Sequence, residues 1–346
     1  MQRVVVSTED DEIAAAARYT GAEVVIRPVE LATDDSPSEA ALLHVLEMLE
    51  RHEQYAPDLV VLLQCTSPLR TSHDIDLALE TLIKEGADSL FSASRSHFLL
   101  WRLDEGVLHS INYDYRDRKP RQAMPEQFQE SGSIYVTRPE LLRKTGNRLG
   151  GKIAVYEMSC LDSFQVDSEE EWLLIEQVFR LRRRREAVKA LATIQLLALD
   201  FDGVLTDNRV LVSLDGLESV WCHKGDRQGI FMLKEQGIPV VVISPETNPV
   251  VEAQCGKLGV PLYQKCKDKL EVLKRVVADY GLLIENVAYI GNDLNDPNCM
   301  KAVGVSIAVA DASAELKAQA QFVTEAGGGN GAVREVIDWI LEGRIQ

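Results

Sequence analysis

Positive charge is scarce in this chain. Its 346 residues carry 37 Lys and Arg against 54 Asp and Glu, a net charge of −17. That balance argues against general nucleic-acid binding, which needs basic stripes. The one basic run, Arg180 with Arg182 to Arg185, reads as the solvated face of a helix. Long apolar runs are also missing. None approaches the ~18 residues of a membrane-spanning helix, so no membrane partner is expected. Organised cysteine is absent too: Cys65, Cys160, Cys222, Cys255, Cys266 and Cys299 form no CxxC pair and no Cys/His cluster at metal-ligand spacing. Such scattered thiols point to a reducing, cytoplasmic setting. His97, His109 and His223 lie in no triad spacing and read as structural. Trp101, Trp172, Trp221 and Trp339 read as core or interface residues.

What is present is a regular alternation. Strand-like runs fall at 3–6, 23–26, 58–64, 88–93, 133–137, 153–157, 196–200, 238–244, 287–290 and 305–309. Helix-like runs fall at 9–19, 37–54, 72–85, 169–190, 226–236, 247–258, 267–280, 295–302, 311–319 and 331–342. This pattern predicts α/β architecture with two doubly wound, mainly parallel-sheet modules. The length fits two domains. The charged helix ending near Ala190 is the natural seam, giving a first domain over 1–180, a basic helix end over 181–192 and a second domain over 193–346.

The second half holds the most informative stretch. Leu196 to Leu199 is an apolar run that ends in Asp200-Phe201-Asp202-Gly203-Val-Leu-Thr-Asp207. Side chains alternate along a strand, so Asp200 and Asp202 share a face until Gly203 turns the chain. Three later segments follow the same logic. Ile238 to Ser244 ends a strand in a hydroxyl, Lys265-Cys-Lys267-Asp-Lys269 opens a helix with ammonium groups, and Ala288-Tyr-Ile-Gly291-Asn292-Asp293-Leu-Asn-Asp296 ends a strand in an acid cluster. If these strand ends meet, they form a polar bowl suited to a phosphoryl group. A divalent cation and Lys269 neutralise its charge, Ser244 donates a hydrogen bond, and Asp200 attacks phosphorus to form a phosphoaspartate.

In this order the segments resemble the haloacid dehalogenase phosphohydrolase superfamily. The resemblance implies Asp200 as nucleophile, Asp202 as general acid/base, and Ser244 and Lys269 as phosphoryl binders. It implies Mg²⁺ held by Asp200, the Asp202 carbonyl and the acid cluster at 292–296, Asn292 and Asp293 foremost. Asn292 stands where the family usually places Asp. Only 43 positions lead from Asp202 to Pro245. They leave room for a β-hairpin over Val210 to Val220, turning at Asp215-Gly216, but for no cap domain. This capless form resembles the sugar-acid branch, the 3-deoxy-octulosonate 8-phosphate and nonulosonate 9-phosphate phosphatases. That resemblance implies a homotetramer built through the C-terminal module. It also implies substrate contacts from Glu246 and from Arg334, in the Gly328-Gly-Asn-Gly331-Ala-Val-Arg334-Glu335 segment.

The first half carries Asp34-Asp-Ser-Pro37, Gln64-Cys65-Thr-Ser67-Pro-Leu-Arg70, Pro120-Arg121-Gln122, Gln129-Glu130-Ser131-Gly132-Ser133 and Gln165-Val-Asp167. Before these, Ser7 or Thr8 is the expected N-cap of the first helix. In this order the segments resemble the N-acylneuraminate cytidylyltransferases through about Arg180. The resemblance implies a nucleotidyltransferase-like, Rossmann-type domain in which the loop from Gln64 to Arg70 approaches the nucleotide. It implies that Arg121, Gln122 and the 129–133 turn face the sugar acid, and that Asp167 holds Mg²⁺. Gln165, Ser131 and Cys65 depart from the family's usual Asp, Asn and Pro. The chain opens at what resembles the family's second strand, so the first strand and its basic, Gly-rich CTP-phosphate loop are expected to be missing. Together the halves lead to an expected role in sialic acid activation, with CTP and sialic acid or its 9-phosphate as partners. The alternative is a second module that only builds the oligomer.

Overall fold

The computed structural model describes residues 3–345. The chain divides into two compact units, 1–177 and 178–346.

The first unit begins with β1 (Val5–Thr8), α1 (Asp11–Tyr19) and β2 (Glu23–Ile26), the two strands pairing in parallel. The expected cap at Ser7 or Thr8 moves to Asp10, whose Oδ1 accepts the Ile13 amide at 2.9 Å. The reason is that β1 runs on to Thr8, so the chain leaves extended geometry later than expected. There follow α2 (Ser38–Glu53), β3 (Val60–Leu63), α3 (Ser72–Glu85), β4 (Ser89–Arg95), β5 (Trp101–Asp104), β6 (Val107–Ser110), β7 (Phe128–Thr137), α4 (Pro139–Thr145) and β8 (Ile153–Glu157). A second sheet has the order β3-β7-β4-β8. Strand β7 runs antiparallel to both of its neighbours, while β4 and β8 are parallel. Its Ile134 and Val136 point into the core formed with Ala78 and Leu82 of α3. The hairpin β5–β6 lacks this inward alternation, and its Trp101, Leu103 and Leu108 are exposed, which is why no strand was expected there.

α5 (Glu169–Leu191) leads into the second unit. That unit contains β9 (Leu196–Leu199), β10 (Thr206–Val212), β11 (Glu218–Cys222), α6 (Lys224–Glu235), β12 (Val240–Ile243), α7 (Pro249–Leu258), β13 (Leu262–Tyr263) and α8 (Lys269–Asp279). It continues with β14 (Val287–Gly291), α9 (Pro297–Ala302), β15 (Val305–Ala308), α10 (Ala314–Gln319), β16 (Phe322–Val323) and α11 (Ala332–Ile345). Six strands form one sheet in the order β13-β12-β9-β14-β15-β16, parallel throughout. Strands β9, β12, β14 and β15 are buried along their full length, as expected for a sheet covered on both faces. The winding starts at β9, goes outward through β12 and β13, and returns to β14 on the other side. That reversal opens a crevice at the carboxyl end of β9, where open α/β sheets bind ligands. The expected hairpin forms as β10–β11. Of the tryptophans, Trp339 lies in the core, while Trp101, Trp172 and Trp221 are exposed.

No helix of the described residues is long and apolar enough to cross a membrane. Leu197 is fully buried and pairs with both Val240 and Ala288. Leu197→Ala is expected to destabilise the second unit by about 2–5 kcal/mol, measured as a lower denaturant midpoint in chemical unfolding.

Candidate active site in the second unit

The site is assembled from the ends of three adjacent strands and the start of one helix. Asp200 follows β9 and is 3% exposed; Lys269, the first residue of α8, is 5% exposed. The Lys269 Nζ lies 2.7 Å from Asp200 Oδ2 and 2.8 Å from Asp296 Oδ1. Asp296, fully buried, also accepts the Tyr289 hydroxyl at 2.7 Å and the Asn292 amide at 2.9 Å. The Phe201 amide donates to Asp200 Oδ1 at 2.7 Å.

These contacts set the protonation equilibria. Burial, with the charge of Asp296, pushes Asp200 up to about 7, against the pull of Lys269. Burial works against the Lys269 ammonium, but Asp200 and Asp296 together outweigh it and hold its pKa above the usual lysine value. Asp202 is half-buried and raised by burial first and then by Glu246, with Lys269 opposing. Gly203 adopts φ +71°, which disfavours any other residue, and a Cβ there would stand 1.9 Å from the Asn292 side-chain Nδ2. Asn292 thus lies directly against the Asp202–Gly203 turn. Ser244 ends β12 fully buried, its Oγ accepting the Glu246 amide at 3.1 Å.

The structure therefore gathers Asp200, Asp202, Lys269 and Asn292, with Asp296 as the member whose role sequence reading missed. Its signal was available: an acid five positions beyond Gly291, at the start of α9, beside a Tyr on the preceding strand. Asp293 is exposed, and its Oδ1 accepts the Leu294 amide at 2.8 Å. Glu246 is exposed near Asp202. Arg334 is spent locally, its Nε on Asp338 at 2.8 Å. Among the described residues, no three His, Cys, Asp or Glu side chains are grouped to hold a metal. The expected ligand set instead relies on the Asp202 carbonyl and the Asn292 amide for part of its donors.

In the first unit, Gln64, Gln165 and the 131–133 turn converge. A Cβ on Gly132 would meet Gln64 Oε1 at 2.5 Å and Gln165 Nε2 at 2.6 Å, and Gln165 Nε2 donates to the Ser131 carbonyl at 2.7 Å. Arg70 Nη1 donates to the carbonyls of Gln64 and Ser67 at 2.7 and 2.8 Å, so it braces the loop that follows β3. Arg121 and Gln122 lie on an exposed turn, and Asp167 is exposed two residues beyond Gln165.

The raised pKa of Asp200 has a consequence for stability. An acid whose folded pKa lies above its unfolded value binds protons more tightly when folded. Its contribution is therefore full at low pH and is lost as pH rises from about 4 to about 7. Asp200→Asn is expected to raise the melting temperature of the second unit at pH 8. Its advantage should shrink toward pH 4 in a calorimetric series, because the variant no longer buries that charge.

Residues 1–159 match the family model for cytidylyltransferases, and residues 255–337 match that for haloacid dehalogenase-like hydrolases. N-acylneuraminate cytidylyltransferase A of Danio rerio is 32% identical over 344 residues, which cover 97% of this chain and 78% of that protein. The 3-deoxy-D-manno-octulosonate 8-phosphate phosphatase of Salmonella typhi is 41% identical over 149 residues, 43% of this chain and 79% of the phosphatase. The solved structure of the corresponding enzyme from Moraxella catarrhalis, in complex with magnesium ion, phosphate ion and KDO, has 31% identity over 46% of this chain and 93% of that one, with a TM-score of 0.45. The chain belongs to the N-acylneuraminate cytidylyltransferase family, and its cytidylyltransferase part is followed by a haloacid dehalogenase-like hydrolase module.

Proposed function

We propose that the chain joins two consecutive steps of sialic acid activation. The second unit removes the 9-phosphate of a nonulosonate, and the first transfers CMP from CTP to the free sugar acid, with pyrophosphate as the leaving group. The observation that carries the phosphatase reading is the buried Lys269–Asp200–Asp296 network at the carboxyl end of β9. It fixes a carboxylate beside an ammonium, at the point where the winding of the sheet reverses.

In this reading Asp200 attacks phosphorus, the bond from phosphorus to the sugar oxygen breaks, and Asp202 gives its proton to the leaving alcohol. Water then attacks the acyl phosphate, with Asp202 taking the proton, and phosphate leaves. The pKa of Asp202, raised by burial and by Glu246, moves in the direction that suits a proton donor. Ser244 and Lys269 hold the phosphoryl oxygens. The donor set of Asp200, the Asp202 carbonyl, Asn292 and Asp293 consists of hard oxygens, which suits Mg²⁺. The excess of buried carboxylates over the Lys269 ammonium also calls for further positive charge. When bound there, Mg²⁺ supplies charge neutralisation to the phosphoryl group. In the first unit, the loop from Gln64 to Arg70 meets the nucleotide, Arg121 and Gln122 meet the sugar acid, whose carboxylate matches a guanidinium, and Asp167 holds Mg²⁺.

Two observations favour a second reading, in which the hydrolase module only assembles the protein. Asn292 is a neutral residue at a ligand position, and β10–β11 exposes Val210, Leu211, Val212 and Trp221. A tetramer formed through this hairpin is common to both readings. Phosphate release from a nonulosonate 9-phosphate in Mg²⁺ separates them. Asp200→Asn is expected to reduce it to on the order of a thousandth or less. Robust turnover by that variant sinks the phosphoaspartate, and a wild-type chain that neither binds Mg²⁺ nor releases phosphate leaves the assembly role. Leu211→Lys is expected to shift the mass measured by light scattering from tetramer toward monomer, whichever reading holds.

A further inference from the structure

Asp226 lies in the first turn of α6, outside the reacting group set, yet it is 2% exposed. Its Oδ1 accepts the backbone amide of Arg334, in the first turn of α11, at 2.8 Å. Its Oδ2 is buried without a hydrogen-bond partner. The Gly331 backbone, in the turn before α11, also donates to this carboxylate. A buried carboxylate with one oxygen unserved is costly to keep, so these contacts need an explanation.

The explanation lies in what α11 carries. Immediately before it, the turn at 327–331 rests on the loop that follows the two catalytic carboxylates. The Gly329 amide donates to the Val204 carbonyl at 2.9 Å. A Cβ at Gly328 would stand 1.9 Å from the Gly203 carbonyl oxygen, so the two backbones touch with nothing between them. On its other side Gly203 meets the Asn292 side chain. The peptide next to Asp202 is thus clasped between Asn292 and the 327–331 turn. The turn is itself held by carboxylates on backbone amides: Asp311 on Gly328 at 2.8 Å, Glu335 on Ala326 at 2.9 Å, and Asp226 on Arg334. Asp311 and Glu335 come from the same half of the unit as the turn, whereas Asp226 fastens it to α6, a helix from the other half.

We propose that Asp226 is a positioning residue for the phosphatase reaction. By fixing the start of α11 it seats the 327–331 turn on the 203–207 loop, and so sets where Asp202 stands relative to the leaving oxygen. This rests on the phosphatase reading above. Displacement of a catalytic group by about 1 Å costs on the order of 100-fold in rate, and it should fall on the step that needs Asp202 as an acid. That step matters for an alkyl phosphate, whose alkoxide must be protonated as it leaves, and little for p-nitrophenyl phosphate, whose leaving group is stable as an anion.

The test compares kcat/KM for the two substrates in the full chain with Mg²⁺, because that quantity reports formation of the phosphoaspartate and not its hydrolysis, a step both substrates share. Asp226→Ala is expected to lower kcat/KM for the alkyl phosphate by about 10- to 100-fold while leaving that for p-nitrophenyl phosphate within a few-fold. Asp226→Asn keeps an oxygen for the Arg334 amide and should restore most of the ratio. The ratio is independent of the fraction folded, so a merely unstable variant leaves it unchanged. Equal losses on both substrates, or none, overturn the proposal while the phosphatase reading stands. A wild-type chain that hydrolyses neither substrate overturns both.

Discussion

The second unit is organised around one ammonium. Lys269 stands between Asp200 and Asp296 in a place where neither carboxylate reaches water. Without it, two acids at this depth would face each other across a medium that screens poorly. Removing the Lys269 ammonium from such a buried set costs about 3–5 kcal/mol, because the two carboxylates are left uncompensated. The rest of the neighbourhood serves this arrangement. The Tyr289 hydroxyl and the amides of Asn292 and Asp293 are all directed at Asp296. Their donation anchors Asp296, so that Lys269 is held at a fixed point beside Asp200. The parallel sheet makes this possible: β9 and β14 are neighbours, and α8 begins where its first residue can reach both ends.

The first unit solves its loop problem without buried charge pairs. Around Gly132 the contacts are made by amides and carbonyls. Gln165 donates to the Ser131 carbonyl, which an aspartate at that position could not do. Arg70 uses its guanidinium on main-chain oxygens, and burial there pulls its pKa below the ordinary arginine value. The loop is therefore ordered by neutral acceptors, and its stability depends little on the ionisation of acids.

Much of this was legible in the residues. The apolar run at 196–199 and its two following acids placed the central strand and the crevice, and the order of Ser244, Lys269 and the 291–296 cluster placed the neighbours. The part that escaped depends on packing between distant segments. Asp296 could be seen as one of several acids, but nothing local distinguishes the acid that binds Lys269 from Asp293, which stays at the surface. Strands β13 and β16 are only two residues long and exist because a neighbour offers free carbonyls and amides. The antiparallel course of β7 was hidden for a similar reason. A strand's direction is set by the path of the connections before it, and the loop from 111 to 127 carries no pattern that fixes that path.

The clasp on Gly203 also bears on the order in which the molecule can be completed. The strand that ends at Asp200 is made early in the unit, while Lys269, Asp296 and the turn at 327–331 arrive progressively later along the chain. A nascent chain holding only β9 to β12 already has two of its buried strands, yet its two acids have neither counter-charge nor brace. Closure of the site thus waits until the 327–331 turn and α11 have been made, and a chain cut short before α11 keeps the carboxylates but not the surface that holds them in place.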